Sequence, residues 1–172
     1  MAHYNYAGAT RDYLRSLGWA VDHVERRNRF IALDYLGFAD LIALKGGVVV
    51  GIQVCVDGTW REHLNKLSDF RHVHTPQGER VDPPGVLEWL RQEGHAEVWS
   101  WGRVKKVRGG KAFTYQVRKV ARFYIDPGHE VFPGAKVSFA GFKVAHGAYE
   151  PERYNRTLRP DVDEEGMVIE GG

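Results

Sequence analysis

The run VVVGIQVCV, residues 48–56, constrains this chain more than any other stretch. It is β-branched and almost without polar side chains, which suits a central strand covered on both faces and not one with a wet face. The run DLIAL precedes it, and only Lys45-Gly46-Gly47 lies between them, the glycines supplying the positive φ angles of a tight turn. A β-hairpin is therefore predicted. With Gly46 and Gly47 as the turn, Lys45 pairs with Val48, and counting outward sets Asp40 opposite Gln53. These two polar groups interrupt an apolar pattern in strands expected to be buried, so each needs a partner.

The flanking segments supply helices. Tyr6, Ala9, Tyr13, Leu14 and Leu17 recur at helical spacing, and Gly18 stands where a left-handed C-cap belongs. Residues 19–25 follow as a first strand, and Glu25-Arg26-Arg27-Asn28-Arg29 as a polar loop. Asp34, six residues before Asp40 with Gly37 between them, reads either as a second carboxylate beside Asp40 or as a turn cap. After the hairpin, Thr59-x-x-Glu62 has the form of a capping box and predicts a helix from Trp60 to about Arg71. Leu64, Leu67 and Phe70 mark its buried side, and His63 and Lys66 share a face. Residues 75–84, rich in Pro and Gly, read as a loop; Asp82-Pro83-Pro84 opens another helix that Gly94 closes, and residues 97–101 form a strand. The order is αβββααβ, an α/β fold with a central mixed sheet flanked by helices. His72 and His74 share a strand face, but a structural zinc site needs four ligands, and Cys55 lies in the apolar strand.

From Arg103 to Arg122 the chain holds Arg103, Lys105, Lys106, Arg108, Lys111, Arg118, Lys119 and Arg122 and no acid. Gly109-Gly110 places a second hairpin in this stretch, with Phe113, Tyr115 and Val117 alternating on one side. A single-sign ribbon with interleaved aromatics is the footprint of phosphate-backbone contact, and the competing reading is an edge defended by charge against aggregation. Beyond Asp126, Phe132-Pro133-Gly134 and Phe139-Ala140-Gly141-Phe142 suggest a small β extension. An acidic tail with Asp161, Asp163, Glu164, Glu165 and Glu170 follows. The expected organisation is a core over residues 1–125, including the basic hairpin, and a C-terminal extension or arm over 126–172 that would join a homodimer.

At 172 residues the chain suits one domain with a real core, and a net charge of +2 says little about partners. No apolar run is long enough to span a bilayer and the N-terminus lacks the pattern of a signal peptide, so no membrane partner is expected. One cysteine, Cys55, excludes an internal disulfide and fits a reducing cytoplasm.

The Asp40 and Gln53-Val54-Cys55 constellation resembles the PD-(D/E)XK nuclease superfamily, whose hairpin carries an Asp on one strand and an acid-x-Lys tripeptide on the next. GFADLIAL, GIQV, WL and GHAEVWSWG look more closely like a group of phage and bacterial restriction-endonuclease-like proteins related to it, over roughly Tyr6 to Arg122. The resemblance implies a restriction-endonuclease-like core and a virus-encoded protein acting in the host cytoplasm on DNA. It implies Mg²⁺ or Mn²⁺ as cofactor, with Asp40 as main ligand beside Gln53, the Val54 carbonyl and Asp34. The sequence departs from the pattern at two positions: Gln53 replaces the acid and Cys55 stands where the lysine belongs. Losing a carboxylate predicts a metal weakly bound without substrate. In some branches the lysine sits on the helix after the hairpin, which here makes Lys66 the candidate, with His63 completing a His-x-x-Lys; an ordinary solvated helix lysine is the alternative. Two functions follow from the resemblance, a metal-dependent DNA nuclease or a catalytically inactive DNA-binding or assembly module; a protein-binding role is the third reading.

Overall fold

In the computed structural model, which describes residues 4–24, 26–27, 32–33, 35–126 and 136–144, the chain opens with helix α1 (Tyr6–Ser16) and strand β1 (Ala20–His23). Short strands β2 (Arg26–Arg27) and β3 (Ala32–Leu33) pair with each other, and β4 (Leu41–Lys45) and β5 (Val48–Val56) follow. A 3-10 turn (Asp57–Thr59) leads into α2 (Trp60–Ser68), then β6 (Arg71–Thr75), β7 (Gly78–Asp82), α3 (Gly85–Arg91), β8 (His95–Lys105), β9 (Phe113–Asp126) and β10 (Lys136–Lys143).

The main sheet is mixed, with order β1-β4-β5-β8-β9-β10. Its only parallel neighbours among the described strands are β5 and β8; every other pairing is antiparallel. The burial of VVVGIQVCV follows from this place: β5 lies between two strands and has helices on both faces. Val48, Val50 and Ile52 pack with Leu14 of α1, Leu41, Trp99 and Val120 on one face. Cys55 packs on the other with Leu64 and Leu67 of α2, Val86 and Leu90 of α3, Val98 and Phe123. The protein is thus a mixed α/β fold, with α1 on one side of a six-stranded sheet and α2 and α3 on the other.

The β4–β5 register is the one that the two-glycine turn dictates: Lys45 pairs with Val48 and Leu41 with Ile52. Gly46 and Gly47 have φ of 57° and 78°, as a type I′ turn requires. Lys45 has a structural task, its ammonium donating to Leu17 O at 2.7 Å at the end of α1.

Three expectations are corrected. The Thr59–Glu62 pattern makes no side-chain cap, because residues 57–59 form a 3-10 turn and Thr59 Oγ1 bonds to Val56 O at 3.2 Å instead. The helix ends at Ser68 rather than near Arg71, and residues 71–82, of which 75–82 were expected as loop, form the β6–β7 hairpin, turning at Pro76-Gln77 with Gly78 at a φ of 123°. His72 and His74 lie on that exposed hairpin, His74 beside Glu79 at 3.4 Å. The basic hairpin is formed by β8 and β9 as they run on past the core, paired to Lys105–Phe113. Residues 136–143 add β10 to the edge of this same sheet. Asp34, residues 127–135 with Phe132-Pro133-Gly134, and the acidic tail lie outside the described residues.

Candidate functional site

The backbone places Asp40 by a sharp turn with an unusual residue in it. Tyr35 N bonds to Ala39 O at 2.9 Å, closing residues 35–39, and Leu36 and Gly37 both adopt positive φ, 49° and 74°. Gly51 provides the room for this turn. A Cβ there would lie 2.7 Å from Phe38 Cε2, so the absent side chain lets the Phe38 ring lie against β5. Asp40 is then held from both sides, its N–H donating to Ile52 O at 2.9 Å and its carbonyl accepting from Val24 N at 3.0 Å.

Asp40 and Gln53 meet across the strand pair. Gln53 Nε2 and Val54 N each donate to Asp40 Oδ2 at 2.7 Å, two bonds that favour the ionised carboxylate. Both side chains are buried, at 8% and 3% exposure. Gln53 spends its amide nitrogen on the carboxylate, so its Oε1 is a buried acceptor without a hydrogen-bond donor among the described residues. Turning the amide over would set carbonyl against carboxylate. A buried acceptor without a donor costs about 1–3 kcal/mol, an arrangement better suited to receiving a ligand than to stability alone.

The alternation of β4 and β5 turns Asp40 and Gln53 toward the sheet face that α2 and α3 cover. His63 and Lys66, both on α2, are half-buried. Lys66 lines a cleft of about 270 Å³ with Leu36, Gly37, Phe38, Arg71 and Asp82, so it faces the turn that presents Asp40. Gly85 closes the far side tightly, since a Cβ there would run into Leu36 O.

Cys55, at the resemblance's lysine position, cannot supply a cation. Burial pushes its thiol up to about 12; the neighbouring Ser100 hydroxyl is the next-largest influence and lowers it, Asp57 and Asp40 raise it, and Lys119 lowers it. Ser100 and Lys119 lie on the same cross-strand row as Cys55. Ser100 Oγ donates to Asp57 Oδ1 at 2.6 Å, and Lys119 Nζ sits 5.6 Å from the Trp60 ring centre.

The eight cations of the basic segment divide. Arg103, Lys105, Lys106, Arg108, Lys111 and Arg118 are exposed, whereas Lys119 and Arg122 are not. Arg122 is a correction to the expected surface block: its Nε lies 3.3 Å from Glu97 Oε1, with side-chain exposures of 16% and 0%, and its guanidinium covers the Phe142 ring at 5.0 Å. Trp99 Nε1 donates to Glu97 Oε2 at 2.8 Å. Sequence reasoning passed over Glu97, although the signal was the one that marked Asp40: an acid inside an apolar run. Arg118 is the extra residue of a β-bulge, between Val117 opposite Trp101 and Lys119 opposite Ser100.

Among the described residues no group of three or more His, Cys, Asp or Glu is placed to hold a metal ion. Neither family models, nor curated proteins, nor solved structures include a match to this chain.

Proposed function

We propose that this protein is a metal-dependent nuclease of PD-(D/E)XK type that hydrolyses DNA phosphodiester bonds with a variant active site. The observation that carries the reading is the buried Asp40–Gln53 pair, with a bonded carboxylate and an amide oxygen left without a donor. The chain order supports it: in the main sheet a helix and three antiparallel strands are followed by a crossover to a fourth strand parallel to the third, an order compatible with the resemblance.

The donors fit a hard divalent cation in kind, a carboxylate and a neutral amide oxygen, with the Val54 carbonyl alongside; Asp34 would be a further ligand. Mg²⁺ or Mn²⁺ held there would stabilise negative charge on the scissile phosphate and lower the pKa of a water. With an amide in place of one carboxylate, a cation would bind weakly unless Asp34 or a substrate phosphate added its own oxygens. The protein's share is positional. Val54 N–H and the Gln53 amide fix the Asp40 carboxylate, Lys66 brings positive charge from α2 toward the same turn with His63 beside it, and the exposed cations of the β8–β9 hairpin hold the phosphate backbone.

A second reading is favoured by Cys55: a buried neutral thiol at the lysine position suits a nuclease fold that has lost catalysis and binds or assembles on DNA. Cleavage of labelled single-stranded, duplex and branched DNAs with Mg²⁺ or Mn²⁺, for wild type, Asp40→Ala and Lys66→Ala, separates the two. The nuclease reading expects cutting that needs metal and both side chains. Binding without cutting would leave the inactive module.

A further inference from the structure

The β8–β9 hairpin has two unlike faces. Residues alternate across a strand, so Trp101, Arg103 and Lys105 of β8 share a face with Phe113, Tyr115 and Val117 of β9, while Val104, Thr114 and Gln116 point the other way. All the aromatic rings are therefore on one side. On that side the N-terminal segment adds another ring: Tyr4 stacks on Tyr115 with centroids 4.4 Å apart and planes 28° from parallel. Farther out, the Arg103 guanidinium lies over the Phe113 ring at 4.1 Å. Two rings remain open to solvent, Tyr4 at 41% and Phe113 at 42% exposure. Exposed Arg103 and Lys105 flank them, and Lys106, Arg108 and Lys111 surround the tip.

Charge alone would serve any phosphate backbone. Open aromatic faces among those charges serve a narrower class, because duplex bases already stack on each other and offer no free face. We propose that this face binds single-stranded nucleic acid, with bases stacking on Phe113 and Tyr4 and phosphates held by Arg103, Lys105 and the tip cations. The inference rests on the nucleic-acid reading of the basic hairpin and makes no use of Asp40, Gln53 or a metal.

The test is fluorescence anisotropy in EDTA with a short oligothymidylate, an oligouridylate, an abasic strand of equal length, and a duplex. Stacking on one ring is worth roughly 5- to 150-fold in affinity. The oligothymidylate is expected to bind at least about fivefold more tightly than the abasic strand, and more tightly than the duplex. Phe113→Ala should remove most of that advantage, weakening the oligothymidylate more than the abasic strand. Phe113→Leu, which keeps apolar cover, should not restore it, and Phe113→Trp should restore it with quenching of the new indole on binding. Tyr4→Ala provides a second variant, and thermal melts establish that each is folded. Comparing thymidylate with uridylate separates DNA from RNA as the natural strand. Equal binding of the thymidylate and abasic strands, or tighter binding of the duplex, overturns the stacking proposal and leaves phosphate contact standing. If no nucleic acid binds while a protein partner does, the hairpin's nucleic-acid reading falls as well, irrespective of any result on cleavage.

Discussion

Arg122→Met tests whether the sheet's interior depends on its buried ion pair. The substitution keeps an unbranched apolar stem but removes the guanidinium 3.3 Å from Glu97, which has no exposure. Breaking a buried pair from one side costs about 3–5 kcal/mol, because the charge that stays behind loses that counter-ion. The Trp99 indole still donates to Glu97 at 2.8 Å, which argues for the lower end, about 3 kcal/mol. For a chain of 172 residues this lowers the melting temperature by roughly 6–12 °C. Urea denaturation gives the free energy, and calorimetry the shift. The matching double variant, Glu97→Leu with Arg122→Met, should recover most of the loss, since replacing both partners by apolar groups is often near neutral. The reasoning fails if Arg122→Met stays within about 1 kcal/mol of wild type, or if the double variant is less stable than the single one. In either case Arg122 would have to be returned to the exposed basic set.

Three further outcomes are expected. The Cys55 thiol, raised from its ordinary value of about 9 to about 12, should resist thiol reagents at neutral pH until the protein is unfolded. Because the folded state holds that proton more tightly, stability should be unaffected below about pH 9 and fall as pH rises toward about 12, and Cys55→Ala should flatten that decline in pH-dependent melts. Gly85→Ala meets the backbone oxygen of Leu36 rather than a yielding side chain and should cost about 1–3 kcal/mol in denaturant titrations; an unchanged midpoint would refute the close approach. Neutralising Lys105, Lys106, Arg108 and Lys111 together should make the slope of log K against log salt on single strands shallower, by about 0.7 for each phosphate that the variant no longer neutralises, and an unchanged slope would remove the hairpin from the interface.

The core hairpin was legible because a two-glycine turn fixes register, and register alone brings Asp40 to Gln53. The basic segment was legible as a hairpin but not as the far end of β8. That strand is buried through its first residues and then alternates, so one element carries two patterns and looks like two. The β6–β7 hairpin gave no signal, since Arg71-His72-Val73-His74-Thr75 has no apolar face and pairs only with β7. The Glu97–Arg122 pair was hidden for another reason: the two residues lie 25 positions apart, and only the β8–β9 pairing brings them together. The 35–39 turn was legible only through Gly37, because nothing in Leu36 announces a positive φ.

The parallel pairing of β5 with β8 has a consequence for how the molecule forms. On one side of it β1, β4 and β5 are joined by sequential pairings, and on the other so are β8, β9 and β10. Each half can assemble by short loop closures, but joining Val50 to His95 must gather the whole crossover through α2, the β6–β7 hairpin and α3. That zipper is expected to be the late, slow event of folding, read as a slow phase in stopped-flow refolding. Since Gln53 and Cys55 belong to the strand that it captures, the candidate site gains its protection from water only when the two halves lock.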